Sequence, residues 1–121
     1  MSSTLEIAQE FAALCKAGTF EEAGERFWSE DIVSIEPMEG EMAVAKGLAA
    51  VKGKGAWWYA NHEIHGAETH GPYVNGDQFA LRFHLDVTPK ASGQRMQMEE
   101  VGLYTVRDGK VVEERFFYRM G

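Results

Sequence analysis

Two glutamates stand where a carboxyl group would face apolar side chains. Glu100 and Glu114 lie in strand-like stretches, with methionine, valine or phenylalanine two residues away on the same face. Apolar surroundings disfavour the ionised form and raise the pKa of a carboxyl group, which suits a general acid or base working near neutral pH. The structural alternative is a buried carboxylate that an arginine or a tyrosine hydroxyl satisfies without catalysis.

A third carboxylate, Glu36, ends a short β-branched stretch (DIVSIE) that Pro37 terminates. At that place it is either a general base or an exposed strand-end residue. Tyr104 shares a predicted strand face with Glu100 and offers a hydroxyl that can donate to a developing oxyanion.

The histidines do not have the spacing of a metal site. The run from Asn61 to His65 (NHEIH) is one residue short of the HExxH pattern that places two histidines on one helical face. On a strand, His62 and His65 point to opposite faces. We therefore expect no metal, and at most a single histidine at the rim of a pocket.

Helices are expected in the first half of the chain. Leu5, Ala8 and Phe11 recur at helical spacing behind a Ser3/Glu6 capping box, and Gly18 ends this helix. A second capping box, from Thr19 to Glu22, opens a shorter helix that carries Phe20 and Phe27. After a short strand, the acidic segment between Pro37 and Gly47 (MEGEMAVAK) suits a loop or lid better than a packed element.

A third helix is predicted from Leu48, with Val51 and Trp58 in phase, although Gly53 and Gly55 weaken it. The rest of the chain alternates as strands near 62–74, 77–88, 95–107 and 110–120. Hairpin signals at Asn75-Gly76 and Asp108-Gly109 and a looser turn (PKASGQ) separate them. The last three strands carry an apolar inner face, which includes Val112 of the final strand, and a polar outer face. Helices followed by an antiparallel meander predict an α+β fold.

Composition narrows the class of protein further. The 121 residues, 45% of them hydrophobic and 26% charged, are those of one ordinary globular domain. The net charge of −7 disfavours nucleic acid and anionic membranes as partners. The single cysteine, Cys15, cannot form a disulfide within the chain, which indicates a reducing compartment. No apolar run is long enough to span a membrane, and no basic residue precedes Lys16, as one would in a signal peptide. We therefore expect a cytoplasmic protein.

Three stretches carry a resemblance that spans nearly the whole chain. They are AGTFEEAGERFWSEDIVSIEP near the start, and NGDQFALRF followed by EEVGLYTVRDGKVVEERFFY near the end. In chain order and local pattern the sequence resembles the SnoaL-like branch of the nuclear transport factor 2-like superfamily. The resemblance implies a cone-shaped α+β barrel of a curved antiparallel sheet around three helices, with a central pocket and a homodimer formed through the outer sheet face. It implies no single reaction, because members include cyclases, isomerases, epoxide hydrolases, dehydratases and non-catalytic binders.

Comparison with ketosteroid isomerase places Glu36 where that enzyme has its proton-shuttling aspartate. The oxyanion-binding aspartate falls on Gly102 and the oxyanion tyrosine falls near Phe11, so that oxyanion hole is missing. A protonated Glu100 or the hydroxyl of Tyr104 is the expected replacement. The final-strand aspartate of limonene-type epoxide hydrolases falls on Phe116, which argues against that chemistry.

We thus predict a single domain, 1–121, that holds a small apolar or aromatic molecule against three catalytic residues, Glu36, Glu100 and Tyr104. The side chains expected to line the pocket are Phe11, Trp58, His62, Phe79, Phe83, Met98, Glu114, Phe116 and Tyr118. The chemistry expected is cofactor-independent isomerisation, cyclisation or dehydration of a carbonyl compound. The alternatives are a binding module without turnover and a dimeric association module whose outer sheet recruits a partner.

Overall fold

The computed structural model describes residues 3–119, apart from the side chain of Met42. Three helices are present: α1 (Thr4–Lys16), α2 (Phe20–Phe27) and α3 (Leu48–Asn61). The six strands are β1 (Trp28–Ile35), β2 (Val44–Lys46), β3 (His62–Asn75), β4 (Gln78–Pro89), β5 (Met96–Arg107) and β6 (Lys110–Phe117). None of these helices is both long and apolar enough to span a membrane.

The first two helices form as the sequence predicts, with one difference at a cap. The Ser3/Glu6 capping box is complete at the start of α1, and Gly18 follows that helix with a φ of 82°. The predicted second capping box is wrong. Thr19 makes no side-chain cap, because its hydroxyl instead donates to the carbonyl of Leu14 at 2.7 Å.

The strands form one open sheet in the order β2-β1-β6-β5-β4-β3. Neighbours among β3 to β6 are antiparallel, as predicted from the hairpin signals. The sheet as a whole is mixed, because β1, which precedes the meander, pairs with β6 in parallel. The architecture is that of an α+β cone, with the helices against one face of the sheet.

Three local predictions also need correction. The segment after Pro37 contains a short 3-10 turn (Glu41–Ala43) and the strand β2, which pairs with β1, so it is not simply a loop. The register of the β5–β6 pairing shifts between Thr105 and Val106, and Val111 is fully buried. Val112 is only half-buried, so its predicted place on the inner face is wrong. Finally, β6 ends at Phe117 instead of 120, and Met120 lies outside the described residues.

The core lies between α1, α2 and the inner face of the sheet. It contains Ile7, Ala8, Phe11, Phe27, Ile32, Val51, Phe79, Leu81, Phe83 and Tyr104. Burial raises the pKa of Cys15 in this core to about 12, so its thiol packs as an apolar group. Across the sheet, the outer face carries ion pairs such as Arg82–Glu99 at 2.7 Å.

Candidate active site

Glu36 is held by a lysine that the sequence analysis did not single out. Glu36 follows β1, and its side chain is 13% exposed. Its Oε1 lies 2.6 Å from Nζ of Lys54 on α3. Its other oxygen, Oε2, is buried and has no hydrogen-bond partner within the described part of the chain. Oε1 is therefore bound by Lys54, whereas Oε2 is enclosed, and the hydroxyl of Tyr118 interacts with this carboxylate, which raises the pKa of Tyr118.

Lys54 connects Glu36 to a second buried carboxyl group. Its Nζ donates to Oγ of Ser34 at 2.7 Å, and Ser34 donates to Oε2 of Glu114 at 2.8 Å. Oε1 of Glu114 accepts a hydrogen bond from the indole of Trp28, also at 2.8 Å. Burial raises the pKa of Glu114, while its hydrogen bonds and Lys54 act in the opposite direction. The predicted inward position of Glu114 on β6 thus corresponds to a satisfied polar group in the interior.

Glu100 is in the opposite situation. It lies on β5, half-buried, and its carboxyl group makes no hydrogen bond to another described residue. Burial, followed by the negative charge of Glu36, raises its pKa to about 7, and Lys54 partly offsets this. A carboxyl group with this pKa exchanges protons near neutral pH. Glu36 and Lys54 are thus the charged side chains with the largest effect on Glu100.

Tyr104 lies deeper, in the aromatic core. Its ring stacks on Phe79 at 4.9 Å and packs against Phe11 at 4.8 Å between ring centroids. Gly102 makes room for it, since a Cβ at that position would lie 2.7 Å from the phenol oxygen. Burial and the charge of Glu114 raise the pKa of Tyr104 well above its usual value, so the hydroxyl stays protonated. Phe11 and Phe79 surround this ring as core residues.

The remaining predicted pocket residues fall into three groups. Phe116 and Tyr118 adjoin the carboxylates: the ring centroid of Phe116 lies 5.1 Å from Nζ of Lys54, and burial together with Glu36 raises the pKa of Tyr118. Trp58 and His62 stack on each other at 4.2 Å at the end of α3. Met98 is half-buried two residues before Glu100, and Phe83 is a buried core residue opposite Glu100 in the register.

Glu100 is partly exposed. Two surface clefts lie elsewhere. One, of about 540 Å³, opens between β1 and the β5–β6 hairpin, and the other, of about 490 Å³, lies at the start of α3. Neither cleft is lined by a predicted site residue.

The histidines have separate partners. Nδ1 of His62 lies 2.8 Å from the carbonyl of Trp58, and Nε2 of His65 lies 2.7 Å from the hydroxyl of Thr88. Among residues 3–119, no group of three or more histidine, cysteine, aspartate or glutamate side chains is arranged to hold a metal ion.

Sequence reasoning missed Lys54, Ser34 and Trp28. A signal for Lys54 was present, since it stands three residues after Val51 and four before Trp58, on the face of α3 already expected to point inward. Ser34 likewise alternates with Ile32 and Glu36. The indole of Trp28 fits because Gly24 leaves space for it, and that contact between α2 and β1 has no simple sequence signal.

The arrangement supplies the parts for proton transfer: a carboxylate with one free oxygen, a carboxyl group that titrates near neutral pH, and a protonated phenol behind them. Together these groups can remove a proton from carbon and stabilise the oxyanion that results.

Comparison with known proteins gives a match over the same length. The family model of the SnoaL-like domain matches residues 2–118. A crystal structure from Mesorhizobium loti, of a protein provisionally named a SnoaL-like polyketide cyclase and also labelled a carbohydrate phosphatase, is 56% identical. That alignment covers 97% of this chain and 100% of the other, with a TM-score of 0.94.

Two more distant structures share the fold. A provisionally named isomerase from Bacillus subtilis is 18% identical over 98% of this chain and 90% of its own, with a TM-score of 0.76. A nuclear transport factor 2-like protein from Burkholderia xenovorans is 22% identical over 96% of this chain and 88% of its own, with a TM-score of 0.75. Among curated proteins, no significant match is found.

Proposed function

The chain belongs to the SnoaL-like domain family, and from that premise we propose that it is an acid/base enzyme acting on a small, largely apolar carbonyl compound. The reaction is enolisation followed by isomerisation, cyclisation or dehydration, and the chain's own carboxyl groups carry the protons. The name given to the 56% identical relative supports cyclisation among these outcomes.

The observation that carries this proposal is the contrast between Glu36 and Glu100. Glu36 is fixed through Oε1 by Lys54, and its buried Oε2 has no partner among the described residues. The carboxyl group of Glu100 makes no hydrogen bond to a residue within 3–119, and its pKa is about 7. Two carboxyl groups in different environments are the usual arrangement of a base and an acid in one site.

In the proposed reaction, Oε2 of Glu36 removes a proton from the carbon next to a carbonyl. The electron pair of that C–H bond moves toward the carbonyl oxygen, and protonated Glu100 donates a hydrogen bond to it there. Glu36 then returns the proton at another atom. The hydroxyl of Tyr104 is the alternative donor to that oxygen. The proposed apolar walls are Met98, Phe116, Tyr118 and Trp58.

The test is ring opening of a benzisoxazole, a probe that reports a partly desolvated base without knowledge of the substrate. We expect saturable activity in the wild-type protein and a loss of about 10²- to 10⁴-fold in Glu36→Gln, the usual contribution of a general base. Glu30→Gln is the matched control, since Glu30 is an exposed glutamate on β1, the strand that Glu36 follows.

Retention of activity in Glu36→Gln would remove Glu36 as the base. Binding of the probe without ring opening, in the wild type as well, would favour a ligand-binding module with the same fold.

We further propose that the protein is a homodimer through its outer sheet face. Val101 and Phe117 are register partners on β5 and β6, and they are 38% and 49% exposed. The Arg82–Glu99 ion pair lies beside them. Adjacent exposed apolar side chains with a charged border are typical of an interface. We expect the mass of a dimer by light scattering and of a monomer for Val101→Glu, whereas Val44→Glu on β2 should remain dimeric.

A further inference from the structure

The proposed function does not account for Glu114, the most deeply buried carboxyl group of the site, which is 5% exposed. It terminates a chain of hydrogen bonds that runs from Glu36 through Lys54 and Ser34. Its second oxygen accepts from Trp28. A buried carboxyl group is costly, so a role that requires it is worth seeking.

The chemistry of the donors fixes the direction of every bond in this chain. An ammonium group can only donate, so Ser34 must accept from Lys54 through Oγ. The hydroxyl hydrogen of Ser34 is then free to point at Glu114, and the indole N–H of Trp28 can also only donate. Glu114 must therefore accept at both oxygens, as a carboxylate does.

The backbone holds these groups rigidly. Ser34 and Glu114 are register partners across the parallel β1–β6 pair, and Ser34 is fully buried. Ser34 thus presents a fixed acceptor to Lys54, which reaches it from α3. While one N–H of Lys54 is held by Ser34, its Nζ also lies 2.6 Å from Oε1 of Glu36.

We propose that Glu114 is a positioning residue that acts through Ser34 and Lys54 to orient Glu36, so that Oε1 is bound and Oε2 faces the substrate. This inference rests on the proposed function, in which Oε2 takes the proton. Glu114 itself touches no reacting atom.

The first test is Glu114→Gln. A glutamine side chain has one oxygen and one NH₂ group, so either the indole N–H of Trp28 faces another donor, or Ser34 must turn its hydroxyl hydrogen away and accept from the amide. We expect kcat for benzisoxazole opening to fall about 100-fold with KM nearly unchanged, as for a misplaced catalytic group. Ser34→Ala should reproduce this loss. The matched control is Glu113→Gln, since Glu113 lies next in the chain with its carboxylate 4.0 Å from Arg115.

The second test does not depend on activity. In crystal structures of Glu114→Gln and Ser34→Ala, we expect Lys54 to leave its present position and the Glu36 side chain to adopt a different rotamer. A Lys54–Glu36 contact still within 0.3 Å of the present 2.6 Å in both variants would overturn the proposal. So would a kcat within twofold of the wild type in both.

The two tests also separate this inference from the proposed function. A wild-type protein that does not open the probe, together with variants in which Glu36 moves, would reject the proposed reaction but keep the positioning role. If Glu114→Gln does not fold, as circular dichroism would show, Ser34→Ala decides alone, because it removes only one hydroxyl.

Discussion

Glu100 is the residue whose protonation state the proposed reaction depends on most directly. Its pKa of about 7 means that the group is protonated below neutral pH and ionised above it. As a general acid it works only when protonated, so we expect kcat for the benzisoxazole probe to fall as the pH rises through about 7. In Glu100→Gln the rate should be lower and nearly independent of pH between 6 and 8.

The opposite slope would reverse the assignment. A kcat that rises through pH 7 in the wild type and loses this rise in Glu100→Gln would make Glu100 the base. Glu99→Gln is the control, because Glu99 precedes Glu100 in the chain and pairs with Arg82 on the outer face. Its profile should match that of the wild type.

Much of the site could be predicted residue by residue, from the alternation of inward and outward side chains along each strand. Period-two patterning predicts that Glu100, Tyr104 and Glu114 share the inner face, and the structure has all three at least partly buried. Lys54 could not be paired with Glu36 in the same way. Which carboxylate a helix lysine meets depends on how α3 is rotated and placed against β1, and that is a long-range packing outcome.

At the scale of elements, the contact between α2 and β1 supports the hydrogen bond from Trp28 to Glu114. A Cβ on Gly24 would lie 2.5 Å from the indole ring, too close to be accommodated without moving it. Alanine favours a helix over glycine by about 1 kcal/mol, but we expect Gly24→Ala to lower the free energy of unfolding by about 1–3 kcal/mol, as overpacking does. Urea denaturation measures this difference.

Gly53→Ala provides the matched control, in the interior of α3. Nothing lies within 4 Å of the position that its Cβ would take. The same substitution should therefore raise the free energy of unfolding by up to about 1 kcal/mol, through helix propensity alone. An increase in the free energy of unfolding for both variants would show that the Gly24–Trp28 contact is not tight.

The elements themselves were predictable wherever the signal is local. Asn75-Gly76 and Asp108-Gly109 mark two tight turns, and the structure has positive φ at Gly76, Asp108 and Gly109. The parallel pairing of β1 with β6 was not predictable in this way, because those strands are far apart in the chain. The same holds for β2 and for the register shift that buries Val111, which arise from long-range pairing.

At the scale of the whole molecule, Glu100 links the site to stability. Its pKa is about 7 in the folded protein against 4.5 for an ordinary glutamate, so between these values the folded state holds a proton that the unfolded state has released. The free energy of unfolding therefore falls as the pH rises from 4.5 to 7 and is then constant. Integrated over this range, the loss from Glu100 is up to about 3 kcal/mol.

Glu100→Gln removes that loss because an amide does not ionise. We expect the variant to be more stable than the wild type by up to about 3 kcal/mol at pH 8 and nearly equal to it near pH 4.5, by urea denaturation. Since both proteins share every other titrating group, the difference isolates Glu100, and Glu99→Gln should show no such trend. A difference that is the same at both pH values would mean that Glu100 ionises normally in the folded protein. A gain in the free energy of unfolding confined to high pH, together with a loss of kcat, would show that the carboxyl group of Glu100 lowers stability and is needed for activity.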